Sequence, residues 1–362
     1  MTDDGPGDRS PGPAGDPALD ELLRRLGGTD DELSEAGRTG SAGDLALELV
    51  LRAGNQPLSV PEAVASSGLA EADFITLWRA LGFVTPEGPR ARIPADLVAA
   101  LPIVSQGITE LLGEEVSLGL VRVIGATSAR IAEALVDAFR MQFEVPELSA
   151  GVSYADVVAR YVEITRTSLP ALESFISAVL KAHLVRVASG AWAPDEENLA
   201  TRRNLFVGFI DLVGYTSLSR TLSPGELAAL LGRFEETVAD VVTGRGGRVV
   251  KLIGDGAMYV TDAPEDGCRA ALDVSARLAA ADDLPPARVG GDCGPVVSLY
   301  GDYFGEVVNR AARLVALANP STVVVSESVA AAGRRSFTFE QLPPQALKGF
   351  QAPAVTYRLL ER

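Results

Sequence analysis

Histidine is almost absent from this chain of 362 residues, and cysteine nearly so: there is His183, and there are Cys268 and Cys293. Two cysteines make no disulfide framework and fit a reducing compartment. Histidine is the side chain whose unperturbed pKa lies near neutrality, so sensing of pH by imidazole would rest on His183 alone. Its other reading is an ordinary helix residue. Cations are in deficit, 32 against 48 acids, for a formal net charge of −16. That balance disfavours nucleic acid or an anionic membrane as the main partner, because both demand a positive face. Long apolar runs are missing as well. The best candidate, Val116 to Ala126, is short and interrupted by Arg122, so no transmembrane segment is expected. The N-terminus is acidic and rich in Pro and Gly, unlike a signal peptide. A cytoplasmic protein is the expectation.

What is present is ordinary for a globular chain: 47% hydrophobic and 22% charged residues, enough for two domains. Residues 1 to about 16 are turn formers and charges, and 1–40 read as a flexible tail with a short amphipathic piece at Ala18–Leu26. Residues 41–190 read as an all-helical domain. Leu45, Leu47, Leu49, Val50 and Leu51 make a helix that Gly54 stops. Ser59-Val-Pro-Glu62 is an N-cap followed by Pro. Two short helices around Gly68 have a helix-turn-helix shape. The second of them carries Arg79 against Glu71 and Asp73, which is poor in base-reading side chains. A packing unit is the better reading there. Residues 94–140 read as one or two helices unusually rich in glycine, including Gly107, Gly113, Gly119 and Gly125. Close packing would justify that cost of about 1 kcal/mol each. Residues 140–149 read as a loop, and 154–187 as a helix that Pro170 bends or divides. Residues 191–204, with Pro194, read as a linker.

From Leu205 the period changes. LFVGFI (205–210) is a strand buried on both faces. Ser223-Pro-Gly-Glu226 opens a helix. Residues 247–261 form two strands around Gly254-Asp255-Gly256. A helix over 263–281, a strand over 288–300, a helix over 304–317 and a strand over 322–325 follow. The order β-α-β-β-α-β is the ferredoxin-like split unit, so 205–362 is the α+β domain of an α+β protein.

Three clusters carry the chemistry. Asp211 stands where the buried strand ends, and Asp255 stands at a hairpin tip. Two carboxylates together suit Mg²⁺ or Mn²⁺, which prefer oxygen and keep water or phosphate ligands. Alone, each acid reads better as a turn former. Lys251 precedes Asp255 by roughly 13 Å along an extended strand, too far for both to grip one atom. Asn309 and Arg313 share one helix face at i and i+4. An amide beside a guanidinium can hold a sugar oxygen and a phosphate. Asp302 as acceptor and Lys251 as donor complement adenine, and would match guanine poorly.

FIDLVGYTSLS, KLIGDG, the 302–313 cluster and LKGF at 347–350 together resemble the class III nucleotidyl cyclase catalytic domain over about residues 204–360. The resemblance implies that Asp211 and Asp255 bind two metal ions. It implies that Lys251 and Asp302 select adenine and that Asn309 and Arg313 stabilise the transition state. Lys348 would lie near the triphosphate. It further implies a homodimer in which one subunit supplies the metal acids and the other the base selectors and the Asn/Arg pair. The reaction would be attack of the ribose 3′-hydroxyl of ATP on the α-phosphorus, giving 3′,5′-cyclic AMP and pyrophosphate. No side chain is an obvious general base. More weakly, the helical half resembles the regulatory domain of actinobacterial two-domain soluble cyclases, whose effector is pH, lipid or another small molecule. Three alternatives stand beside this: a catalytically silent ATP-binding sensor, a DNA-binding regulator using Val60–Leu81, and a diguanylate cyclase, whose GGDEF-type hairpin is absent.

Overall fold

The structure, a computed structural model, describes residues 16–52, 54–85, 92–191, 202–350 and 352–362. Residues 1–15 of the expected tail, and most of the expected linker (192–201), lie outside the described residues. The chain divides into two compact units, Met1–Ala193 and Pro194–Arg362.

Among the described residues, the regular elements of the first unit are helices, joined by one bridge between Leu58 and Ile93. Residues 17–39 are not a tail. They form helices Pro17–Arg25 and Asp30–Thr39. Leu19, Leu23, Leu33 and Ala36 pack with Leu45, Leu49, Val158 and Val162 in one core. Their i, i+3 and i, i+4 spacing makes a narrow apolar stripe that the surrounding charges obscure in the sequence. Thr29 and Glu32 close a capping box, with the Thr29 N–H donating to Glu32 at 2.8 Å.

The helix-turn-helix stretch is helices Val60–Ser67 and Glu71–Ala80 around Gly68, which sits at φ 67. The second helix buries Phe74, Leu77 and Trp78 in a core with Val98, Leu101 and Val121. Gly125 of helix Glu114–Phe139 lies against Leu81, where a Cβ would sit 2.3 Å from the Leu81 carbonyl oxygen. That glycine meets the close-packing expectation. Gly113 has another role, interrupting the helix at φ 81. Residues 140–149, expected as a loop, are a π-helical turn followed by helix Val145–Ser149. The last helix runs unbroken from Tyr154 to Ala191 with Pro170 inside it. A long helix tolerates one missing donor because its neighbouring turns remain bonded. The stretch long and apolar enough to cross a membrane, by length and composition only, is Ala95–Leu112 rather than Val116–Ala126. Pro102 interrupts it, and Val98 and Leu101 are spent on the core.

The second unit is built on β1 (Arg202–Leu212), β2 (Arg248–Ile253), β3 (Gly256–Thr261), β4 (Ala287–Leu299), β5 (Asp302–Phe304), β6 (Val323–Ser326), β7 (Thr338–Gln341) and β8 (Thr356–Leu360). The sheet order is β2-β3-β1-β4-β6-β8-β7, with β5 paired to β4. The first four are the expected split unit, β1 in the middle. β6 runs parallel to β4, and β7 and β8 extend the far edge. β1 begins at Arg202, three residues earlier than expected. Phe206, Val207 and Ile210 are buried, and Phe206 joins Phe234, Tyr259 and Leu278 in the main core. Burial of such side chains contributes about 1.5–3 kcal/mol each. Residues 302–304 are strand, and the helix after them is Glu306–Leu317. Gly305, at φ 132, makes the break between them.

Candidate functional site

Asp211 is the penultimate residue of β1, opposite Gly256 on β3 and Arg288 on β4. The β2–β3 hairpin closes through Gly254-Asp255. Of that pair Gly254 alone has positive φ, 61°, and a two-residue hairpin favours glycine at that first position. The Leu212 N–H donates to the Asp255 carbonyl at 3.1 Å. Two acids far apart in sequence thus stand side by side at one end of the sheet, both half-buried.

Arg288 holds Asp211 tightly. Its Nη2 and Nε lie 2.6 and 2.7 Å from Asp211 Oδ2. Both bonds end on the same oxygen. On the Oδ1 side is Gly256, where a Cβ would sit 3.8 Å from Oδ1 and 2.8 Å from the Ile210 carbonyl. Any larger residue at 256 would press on the Ile210 carbonyl and crowd Oδ1. No group of three or more His, Cys, Asp or Glu side chains placed to hold a metal occurs among the described residues. The pair therefore does not suit an ion held wholly by protein. It fits a hard divalent cation that keeps water and takes phosphate oxygens as its remaining ligands. Arg288 was not anticipated. Its signal was a cation inside the otherwise apolar start of a buried strand, Ala287–Gly291.

Lys251 and Asp302 form a second pair. A bulge between Val249 and Lys251 shifts the β2–β3 register. The turn from β4 to β5 is Tyr300-Gly301, at φ 52 and 81, a two-residue hairpin with both central residues left-handed. It brings Asp302 back beside Leu299. The Lys251 ammonium donates to Asp302 Oδ2, and Oδ1 accepts the Tyr303 N–H at 2.8 Å. Arg248 adds a second tie, donating to the Tyr303 hydroxyl at 2.8 Å. β5 is thus fastened to β2 by two charged residues of that strand.

Asn309 and Arg313 lie one turn apart on the exposed side of helix Glu306–Leu317, whose Val307, Ala311 and Leu314 are buried. Gly290 on β4 lets this helix come close: a Cβ there would sit 2.1 Å from the Val315 nitrogen. Lys348 is exposed in the segment between β7 and β8, next to buried Leu347. Among the described residues, no hydrogen bond or ion pair joins the acid pair, the Lys251–Asp302 pair and the Asn309/Arg313 face to one another, or Lys348 to any of them.

Residues 199–361 match the family described as the adenylate and guanylate cyclase catalytic domain. An uncharacterized protein of Mycobacterium tuberculosis is 33% identical over 348 residues, covering 93% of this chain and 88% of that protein. An adenylate cyclase of Streptomyces coelicolor is 34% identical over 270 residues, covering 74% and 70%. Among solved structures, the catalytic core of a rhodopsin-guanylyl cyclase with converted specificity, in complex with ATPαS, is 24% identical. It covers 46% of this chain and 99% of that one, with a TM-score of 0.42.

Proposed function

The chain belongs to the adenylate and guanylate cyclase catalytic-domain family, and from that membership we propose that it is an adenylate cyclase, converting ATP to 3′,5′-cyclic AMP and pyrophosphate. The observation that carries the reading is the meeting of Asp211 and Asp255 at one sheet end, with Asn309 and Arg313 exposed on a neighbouring helix of the same unit.

Asp211 and Asp255 would hold two divalent cations, Mg²⁺ or Mn²⁺. Bound there, such ions acidify the ribose 3′-hydroxyl and neutralise the phosphates. Lys251 and Asp302 supply a donor and an acceptor to the adenine edge, already aligned by their mutual ion pair. Asn309 orients the ribose, and Arg313 meets charge growing on the α-phosphoryl group. Lys348 holds the triphosphate. The proton leaves to water or to substrate, since no side chain among the described residues is placed as a base. The active form is a homodimer, which lets the base selectors and the acid pair of different subunits serve one nucleotide. The helical unit regulates it. That unit has a cavity of about 420 Å³ between Leu47, Leu51, Pro57 and Pro94, with both acids (Asp44, Glu48, Asp96) and arginines (Arg52, Arg92) on its polar side, a candidate seat for a small effector. A cytoplasmic location accompanies this reading.

The test is cyclic AMP formation from ATP by the full chain, with Mg²⁺ and with Mn²⁺. Turnover supports the reading. ATP binding without cyclic AMP would replace it with a nucleotide sensor.

A further inference from the structure

Asp292 is a carboxylate with no exposed surface, in the middle of β4. Its Oδ1 accepts the Cys293 N–H at 2.8 Å, while Oδ2 has no hydrogen-bond partner. The cation facing it is Arg310, with Nη1 3.4 Å from Oδ2. Burial pushes the Asp292 carboxyl up from its ordinary value, against the Ser326 hydroxyl and the Arg310 charge, which pull it down. A buried acid is costly unless it is paired, and removing its partner is costlier still. Arg310 sits on helix Glu306–Leu317 between Asn309 and Arg313 in sequence. Its guanidinium also pairs with Glu306 and lies over the Phe350 ring, 5.4 Å from the centroid. Phe350 is two residues from Lys348. One planar group therefore touches the strand below, the helix that carries Asn309 and Arg313, and the segment that carries Lys348.

We infer that Arg310 is a positioning residue: held by buried Asp292 and stacked on Phe350, it fixes the Asn309/Arg313 helix and the Lys348 segment relative to one another. This rests on the cyclase reading above. Arg310 touches no reacting atom in this role. It sets the distance between groups that do, and displacements of about 1 Å in such groups cost up to ~100-fold in rate.

The two contacts predict different kinetics. In the full chain, with ATP and Mg²⁺, Asp292→Asn loosens the helix and lowers kcat about tenfold with KM within twofold. Phe350→Leu keeps apolar bulk but loses the ring, and raises KM for ATP several-fold with kcat within twofold. Arg310→Met does both. The double variant D292N/R310M is no worse in kcat than R310M alone, because both act through one contact. R310K, which keeps the charge and loses the planar stack, recovers most of kcat and little of KM. R310M with both constants within twofold of the parent would overturn the inference, as would D292N and R310M effects that simply multiply. If R310M does not fold, F350L with an unchanged KM, or D292N with an unchanged kcat, overturns it equally. A parent protein without turnover sinks the cyclase reading itself, so the two failures are distinguishable.

Discussion

The two units of this molecule leave opposite things on their surfaces. The helical unit exposes apolar side chains in series along its last helix: Phe175, Leu180, Leu184, Val185 and Val187, each more than half exposed. The sheet unit exposes fewer large apolar side chains, Ile253, Leu299 and Phe304 among them, and sets Asn309, Arg313 and Lys348 on its surface. Charged groups follow the same division. Glu32 in the helical unit is enclosed by Arg52, Arg92 and Thr29, a group wholly committed to structure. Asp211 in the sheet unit is held on one oxygen only, by Arg288. Glu32, paired with two guanidiniums and a backbone N–H, is spent on holding its own unit together. A carboxylate held on one side is oriented and still has a ligand to give. The contrast fits the proposed division, in which the sheet unit carries the chemistry and the last helix of the other unit adds an apolar surface for association.

The sharpest way to break that division is Asp211→Asn. It removes the proposed cation ligand and leaves Arg288 facing an amide of the same shape. Cyclic AMP formation should fall about 10³-fold or more, as expected when charge stabilisation at a phosphoryl site is lost. Unfolding temperature should stay within a few degrees of the parent. Residual activity above a tenth would remove Asp211 from the chemistry.

A smaller effect is expected from the other unit. If the proposed homodimer runs along the exposed stripe, Leu180→Asp with Leu184→Asp should convert dimer to monomer in sedimentation velocity, and turnover should fall with it. A retained dimer with full turnover would take this helix out of the association and leave it to the sheet units alone. Smaller again is Asp302→Asn, which keeps the size and alters the acceptor that Lys251 pairs with. The preference for ATP over GTP, read as the ratio of kcat/KM values, should drop about tenfold, the scale of one misplaced hydrogen bond in a specificity site. An unchanged ratio would place base selection elsewhere.

Much of the sheet unit was legible in the chain because buried strands and two-residue hairpins write strong local patterns. LFVGFI and Gly254-Asp255 are examples, and the ferredoxin-like order followed from them. The acids and the Asn309/Arg313 pair stood out as candidates only as a set and through a family resemblance, since each alone reads as a turn or a surface residue. Arg288 was not, because its meaning depends on a strand partner, Asp211, chosen by tertiary pairing. Asp292 and Arg310 were silent for the same reason: the strand read over 288–300 contains Asp292, but the helix residue that faces it is chosen by tertiary packing. In the helical unit, residues 17–39 were misread because a stripe of Leu19, Leu23, Leu33 and Ala36 is thin within a polar stretch. Composition averaged over that stretch outweighed periodicity within it.

The smallest expected effect tests the committed carboxylate. The Arg52 hydrogen bond, with help from the Thr29 N–H and against the pull of burial, holds Glu32 down to about 2. Its folded value lies below its unfolded value of about 4.3. Stability from this group is therefore full above about pH 4.3 and is lost as pH falls toward 2. The side chain is only 9% exposed, so solvent screens little of the interaction. About 2 kcal/mol is a fair scale for its contribution near neutrality. Glu32→Gln should lower the urea midpoint of the full chain at pH 7, and the difference from the parent should shrink progressively below about pH 4. Cyclic AMP turnover at pH 7, below the denaturation range, should be unchanged. A loss of turnover without a loss of stability would mean that the Glu32–Arg52–Arg92 cluster speaks to the sheet unit, and that a structural carboxylate had been taken for an idle one.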